Sequence, residues 1–159
     1  MGATVINFAE TDAVEAVMEA TKGFGADCGI EAVGYEAHER TGAEHPEMVL
    51  DSLVNVFRAT GHIGVVGVYM PEDPGAATAG AKEGRIGFNY GLAFTKGISL
   101  MGGQCPVKKY NTELRDLIIR GRANSSWIVS HEVPLSEAVD AYDKFDKRVD
   151  GWTKVLLKP

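Results

Sequence analysis

Apolar and polar positions change their period several times along the chain, and each change predicts a new element of secondary structure. Continuous or alternating apolar segments predict strands, whereas apolar residues at positions i, i+3 and i+4 predict helices. The predicted strands are 3–8, 27–33, 62–69, 97–101 and 153–157, with a further extended segment at 127–130. Helical segments separate these strands and make crossovers long enough for parallel pairing. The pattern therefore predicts the α/β class, with a doubly wound parallel sheet.

Helix signals lie between the predicted strands, and each predicted helix has one apolar face. Asp12 followed by Glu15 resembles a capping box at the start of the first helix. Pro46 and Pro106 are suited to the first positions of two longer helices. Ser136 is predicted to cap the last helix. The predicted core positions of the four helices are Val14, Val17 and Met18; Leu50, Leu53, Val54 and Phe57; Tyr110, Leu114, Leu117 and Ile118; and Val139, Tyr142 and Phe145.

Glycines follow three of the predicted strands, at Gly34, at Gly67 and at the pair 102–103. In open parallel sheets, ligands bind in the crevice beyond the carboxyl ends of the strands, where glycine lets the backbone approach the ligand closely. Two interpretations stay open, a ligand crevice or glycines that only end strands. The glycines of 23–29 are not a dinucleotide fingerprint, because they precede a strand instead of leading from a strand into a helix.

Composition excludes several classes of partner. The 159 residues have a formal net charge of −6 and 45% hydrophobic residues, which is typical of a globular domain of ordinary size. An acidic chain without a block of Lys and Arg argues against nucleic acid and against an anionic membrane surface. No apolar segment approaches the roughly 18 residues of a membrane span. We therefore expect neither nucleic acid nor a membrane as a partner.

Cysteines and histidines offer little chemistry at the level of sequence. Two cysteines, Cys28 and Cys105, are too few for a disulfide framework or a structural zinc site, and they predict a reducing, cytoplasmic compartment. Cys28 falls in a predicted buried strand and is interpreted as a small hydrophobe. Cys105 precedes a predicted helix, which favours a reactive thiol, but no base for a catalytic nucleophile is identifiable. The spacing of the four histidines is not typical of metal ligands.

Three segments carry a resemblance to a known family. The segment 25–37, GADCGIEAVGYEA, resembles the fourth-strand segment of zinc-containing, medium-chain alcohol dehydrogenases. Two further segments narrow the resemblance to the branch of glutathione-independent formaldehyde dehydrogenases. They are 67–82, with its GVY and EDPGA motifs, and 103–111, GQCPVKKYN. The resemblance covers nearly the whole chain.

The resemblance implies that residues 1–159 are a truncated NAD-binding (coenzyme) domain with a C-terminal strand of the catalytic domain. The implied fold is a partial, Rossmann-like sheet lacking its first two strands. The zinc-binding catalytic domain and the glycine fingerprint would lie outside this sequence, and Met1 would be an internal methionine. The implied cofactors are NAD, bound weakly or not at all by this chain, and zinc in the parent enzyme only.

The resemblance also assigns cofactor-binding positions, none of them catalytic and none a metal ligand. Two segments of the family border the nicotinamide, and two positions lie near the adenosine. One basic position near the C-terminus reaches towards the pyrophosphate. The residues that match these positions are Gly67, Val68 and Tyr69; Gly103, Gln104 and Cys105; Ile30 and Glu31; and Lys154. The family usually has Thr where Cys105 stands and Asp where Glu31 stands.

The function implied is that of an NAD-dependent, zinc-type alcohol or formaldehyde dehydrogenase, which transfers hydride from a small alcohol or aldehyde hydrate to NAD. The chain alone is expected to be inactive. The alternative is a non-catalytic module that binds a nucleotide weakly or serves only in dimerisation. A third possibility, a methyltransferase-like parallel α/β protein, would need a glycine-rich turn after the first strand, and the sequence contains none.

Two expectations concern the edges of the sheet. The segment 97–101 is expected to pair with a second copy and form a homodimer or higher homo-oligomer, as the corresponding edge strand does in the family. At the opposite edge, the implied loss of the family's first two strands leaves its third strand, here the segment 3–8, with no sheet neighbour beside the segment 27–33. We expect the segment 3–8 to move beside it, another chain to pair with it, or the first helix to cover it.

Overall fold

Helices and parallel strands alternate through residues 2–159, which are the residues that the computed structural model describes. The helices are α1 (Ala13–Ala20), α2 (Met48–Val56), α3 (Ala79–Lys82), α4 (Tyr90–Lys96), α5 (Val107–Ile119) and α6 (Ala138–Asp146). The strands are β1 (Ala26–Glu31), β2 (Phe57–Val65), β3 (Ser99–Gly102), β4 (His131–Pro134) and β5 (Val155–Lys158). The chain divides into two compact units, Met1–Cys105 and Pro106–Pro159. The predicted α/β class with parallel strands is confirmed.

The first unit contains a parallel sheet of three strands in the order β1-β2-β3. Ile63, at the middle of the sheet, pairs with Gly29 on one side and Leu100 on the other. Helices α2 and α4 pack against the sheet, and α1 packs against α2. Because the strands are parallel, their carboxyl ends lie at the same edge of the sheet.

The core of the first unit is built around α2, where Leu50 and Val54 are buried as predicted, but Phe57, predicted on the helix, is the first residue of β2. Leu50 and Val54 are buried there with Phe57 and Ile63 of β2. Burial of each of these side chains stabilises the fold by about 1.5–3 kcal/mol. Lys96 joins α4 to the end of α2, since its Nζ donates to the carbonyl oxygens of residues 54, 55 and 57 at 2.8–3.0 Å. A cation at a helix C-terminus also interacts favourably with the helix dipole.

The N-terminal segment differs from the prediction. The structure assigns no strand within residues 3–8, and Val5 is 88% exposed. Among the described residues β1 pairs with β2 alone, so the segment 3–8 is not paired with the outer edge of β1. The expectation that 3–8 moves beside β1 is therefore wrong. The first helix does form where predicted, and Asp12 accepts hydrogen bonds from the amides of Val14 and Glu15.

The second unit contains the parallel pair β4-β5 and the helices α5 and α6. Both helices form where the sequence predicts them, but their predicted core faces are exposed. Val139 is 84% exposed, and α5 has no buried residue, so Tyr110, Leu114, Leu117 and Ile118 do not form a core. Ala141 is the buried position of α6. The apolar period locates a helix, but it does not determine what the apolar face packs against.

Two smaller predictions about the second unit are also corrected. Ser136 lies inside a 3₁₀ turn, Leu135–Glu137, and α6 begins without a side-chain cap. The segment 127–130 is not a strand, because residues 126–128 form another 3₁₀ turn. No helix among residues 2–159 has the length and hydropathy that a bilayer crossing requires.

Candidate functional site

A cleft of about 730 Å³ lies beyond the carboxyl ends of β2 and β3 in the first unit. Its lining consists of residues 65–71 from the end of β2, Leu100, and residues 102–105 from the end of β3. The volume falls within the range of pockets that hold small molecules and cofactors. The cleft also occupies the position where open parallel sheets bind ligands.

The wall of the cleft depends on a close approach between the segments that follow β1 and β2. Gly34 and Val68 form a parallel bridge, and the amide of Tyr35 donates to the carbonyl of Val68 at 3.4 Å. Gly34 has a φ of +87°, and a Cβ there would lie 2.3 Å from the carbonyl oxygen of Val68. A Cβ on Gly67 would lie 2.4 Å from the amide nitrogen of Gly34. Glycine is therefore required at both positions.

Glu31 connects the same two segments from below the cleft. Its side chain is fully buried, and Oε1 accepts hydrogen bonds from the amides of Val33 at 2.7 Å and Gly34 at 2.8 Å. Its backbone carbonyl accepts from the amides of Val66 at 2.7 Å and Gly67 at 3.1 Å. A buried carboxylate is costly unless it is hydrogen-bonded, and these backbone amides stabilise it.

Tyr69 brings a second buried polar atom to this region. Its ring packs edge to face against Tyr35, with the ring centroids 4.9 Å apart. Burial, followed by the negative charge of Glu31, raises the pKa of the Tyr69 phenol. Neither Tyr69 Oη nor Glu31 Oε2 has a hydrogen-bond partner among the described residues, although both atoms are buried. Because its pKa is raised, the phenol is neutral at physiological pH.

The structure brings six of the nine predicted cofactor-binding residues into one cleft. Gly67, Val68 and Tyr69 lie on one side of it, and the three residues 103–105 lie on the other. Ile30 does not line the cleft, and its side chain is 68% exposed on β1. Glu31 lies behind the wall with no exposed surface. Lys154 belongs to the second unit, where it lines a separate cavity of about 180 Å³.

Other residues of the cleft were not predicted. Leu100, Met70 and Pro71 add apolar surface, and although Met70 and Pro71 lie in the resemblance segment 67–82, none of the three was assigned to a site. The sequence signal that located the cleft was the pair of glycine-ended strands β2 and β3. Cys28 was interpreted as buried, and this is wrong: its thiol is free and exposed, since β1 lies at the edge of the sheet.

The chemistry that this cleft offers is binding rather than proton transfer. Its walls are largely apolar, and the backbone amides of Gln104 and Cys105 have no hydrogen-bond acceptor among residues 2–159. Free amides beside apolar walls suit a flat heterocycle with a polar substituent. The Cys105 thiol is free and exposed at the same edge. The described residues bring together no group of three or more His, Cys, Asp or Glu side chains that could hold a metal ion.

Fold and cleft together define an open, parallel α/β sheet with a cleft at the carboxyl ends of two of its strands. No protein-family model matches the chain. Over 128 residues, 77% of its length, the chain is 41% identical to the glutathione-independent formaldehyde dehydrogenase of Pseudomonas aeruginosa (strain LESB58), and this match covers 32% of that relative.

Solved structures show the same relationship. The alcohol dehydrogenase TADH from Thermus sp. ATN1 superposes with a TM-score of 0.73 at 27% identity, covering 98% of this chain and 38% of that one. An NAD-dependent alcohol dehydrogenase superposes with a TM-score of 0.64 at 17% identity, covering 99% of this chain and 38% of that one. The latter similarity shows a shared fold.

These similarities confirm the family resemblance carried by the segments 25–37, 67–82 and 103–111. The chain is homologous to the zinc-type alcohol dehydrogenases, among them glutathione-independent formaldehyde dehydrogenase. It spans about a third of the length of the curated relatives that it matches.

Proposed function

We propose that this chain forms one wall of a nicotinamide coenzyme site in an NAD-dependent, zinc-type alcohol or formaldehyde dehydrogenase. The reaction of such an enzyme is hydride transfer from a small alcohol or aldehyde hydrate to NAD. The observation that carries the proposal is the cleft itself, since both segments that the family resemblance assigns to the nicotinamide line it.

The residues of the chain would bind and orient the coenzyme. Residues 67–69 and 103–105 would hold the nicotinamide between them, with Val68 and Leu100 supplying apolar surface. The amides of Gln104 and Cys105 would donate to the carboxamide oxygen. Bound NAD would supply the hydride-accepting ring. The walls would exclude water from that ring and keep one of its faces open to the substrate.

Zinc does not fit the residues that the structure describes, because they contain no cluster of three potential ligands. We therefore propose that the 159-residue chain alone does not catalyse the reaction. Incubating it with NAD and either formaldehyde or ethanol should produce no NADH absorbance above a protein-free control.

The free thiols Cys28 and Cys105 support a reducing, cytoplasmic compartment for the protein.

Binding of NADH, compared with binding of ADP-ribose, tests the proposed coenzyme site. Residues 2–159 contain no strand that leads through a glycine fingerprint into a helix, so the pyrophosphate lacks its usual anchor. We expect weak 1:1 binding of NADH by calorimetry, with a Kd on the order of 1 mM. ADP-ribose, which lacks the nicotinamide, should bind at least about tenfold more weakly. Equal affinities for the two ligands would place the binding outside the nicotinamide cleft.

A second proposal is self-association through the edge strand β3. All four residues of β3 are exposed, and among the described residues it pairs with β2 alone. Met101 presents an apolar side chain there that is 81% exposed. Unpaired amides and carbonyls on an apolar edge invite pairing with another strand, and two-fold pairing of identical edges gives a closed dimer.

Substitutions on β3 test this self-association by solution scattering. Ser99→Pro and Met101→Lys should each convert the dimer to a monomer, because proline removes an amide and lysine places a charge on the edge. Ser99→Ala is the matched control, since it removes only the 2.5 Å contact between the hydroxyl and His62 Nδ1. Dimers that persist in both test variants, or a monomeric parent chain, would exclude pairing through β3.

A further inference from the structure

Two buried polar atoms beneath the cleft lack partners, and they belong to neighbouring side chains. Glu31 Oε2 and Tyr69 Oη are both buried without a hydrogen bond among the described residues. Both atoms lie on the inner side of the segment 67–69, since Oε2 is 2.2 Å from where a Cβ of Gly67 would be and the Tyr69 ring turns inward against Tyr35. A buried acceptor and a buried hydroxyl are each costly when unpaired, and both costs are removed when the hydroxyl donates to the carboxylate.

Both atoms lie beneath the backbone of the cleft wall, so a bond between them would hold that backbone in place. Glu31 Oε1 and the Glu31 carbonyl already hold the backbone at residues 33–34 and 66–67. Oε2 lies directly beneath Gly67, 2.2 Å from where a Cβ would be. Tyr69 is the next residue along this wall whose side chain turns inward, against Tyr35. The Gly67 end of the segment 67–69 is already held by the Glu31 carbonyl, and a bond from Tyr69 to Oε2 would hold the other end.

We propose that Glu31 and Tyr69 form a positioning pair, in which the Tyr69 hydroxyl donates to Glu31 Oε2, directly or through one buried water, and fixes the cleft wall formed by residues 67–69. The pair does not act through contact between Glu31 and the ligand, because Glu31 has no exposed surface. It acts through the backbone that it holds. The inference rests on the proposed function for the nature of the ligand, a nicotinamide dinucleotide.

The role of the pair is separable from a general contribution to folding. A structural carboxylate lowers the free energy of unfolding when it is replaced, but it has no reason to discriminate between NADH and ADP-ribose. A positioning pair must affect the nicotinamide end alone. Glu31→Gln keeps the shape of the side chain and replaces Oε2 with an amide or a neutral oxygen, whereas Tyr69→Phe removes only the hydroxyl.

The test combines a spectroscopic measurement without ligand and a binding measurement on the whole chain. In protein labelled with ¹³C at tyrosine Cζ, Tyr69→Phe identifies the Tyr69 resonance. Glu31→Gln should shift that resonance and lower the pKa at which it titrates. The other ionisable groups facing Tyr69 are Tyr35 and Glu47, and they are unchanged in this variant. Tyr90→Phe, at an exposed tyrosine of α4, is the matched control.

Binding then decides whether the pair positions the wall. Tyr69→Phe should weaken NADH binding by about fivefold, the effect of one ordinary hydrogen bond, and leave ADP-ribose binding unchanged. Glu31→Gln should weaken NADH binding at least as much. If Glu31→Gln does not fold, Tyr69→Phe alone decides the question. Undiminished NADH binding in the variants overturns the pair while leaving the proposed function intact. Failure of the parent chain to bind NADH overturns the proposed function as well, whatever the tyrosine resonance shows.

Discussion

Replacing Gly34 with alanine is expected to lower the free energy of unfolding by about 4 kcal/mol, a larger loss than at any other glycine of the cleft wall. Two costs combine at this position. The φ of +87° costs a residue with a Cβ about 1–2 kcal/mol. The new Cβ would also lie 2.3 Å from the Val68 carbonyl oxygen and 2.6 Å from its amide nitrogen, so backbone would have to move. Urea unfolding followed by circular dichroism measures the loss.

Gly42→Ala is the matched control for this substitution. Gly42 has a φ of +84°, close to that of Gly34, but a Cβ there would meet no atom within 4 Å. Its loss of stability should therefore report conformational strain alone, about 1–2 kcal/mol. The difference between the two variants measures the close approach of the two strand ends. Equal losses would contradict the packing described for the cleft wall.

Gly67→Ala is expected to cost about 3 kcal/mol, for a different reason. The φ of Gly67 is not in the left-handed region, so the cost is steric. A Cβ would lie 2.2 Å from Glu31 Oε2 and 2.4 Å from the Gly34 amide nitrogen. The buried carboxylate cannot turn away without losing its hydrogen bonds to the Val33 and Gly34 amides. Each of those bonds involves a charged group and contributes about 1.5–3 kcal/mol.

The readouts for Gly67→Ala are urea unfolding and NADH binding. The variant should lose both stability and its preference for NADH over ADP-ribose, because residue 67 lines the cleft. Gly91→Ala provides the control, since Gly91 lies in α4 with open space around it. Alanine there should stabilise the chain by about 0.5–1 kcal/mol. A Gly67→Ala protein as stable as the parent would show that Glu31 is not held beneath the cleft.

The fold was predictable where local signals and long-range packing agree. The helix α2 and the strand β2 share a buried core with Leu50, Val54 and Ile63, although β2 begins five residues before its predicted start. The strands β1 and β3 form close to their predicted positions through pairing with β2, since most of their residues are exposed. The segment 3–8 has a strand-like composition but no strand neighbour, and composition alone does not supply one. Helix α6 has the expected period, yet only Ala141 is buried, because the partner of its apolar face is not encoded in the period.

The candidate site was predictable to the level of its two segments. Glycines at the ends of strands marked the edge of the sheet where the cleft lies, and the family resemblance selected residues 67–69 and 103–105, which line it. The sequence could not show that Glu31 is fully buried beneath that edge, because a charged residue at the end of a strand is usually exposed. Nor could it show that Tyr69 turns inward beside it, since both depend on how closely Gly34 and Gly67 pack.

The most direct test of the proposed coenzyme site is an amide-resonance map of the ¹⁵N-labelled chain titrated with NADH and, in parallel, with ADP-ribose. We expect saturable shifts at residues 67–69 and 103–105 that occur with NADH and not with ADP-ribose. The amides of Gln104 and Cys105, which are free in the structure, should move most. Shifts confined to other parts of the chain, or identical shifts with both ligands, would contradict the assignment of this cleft to the nicotinamide.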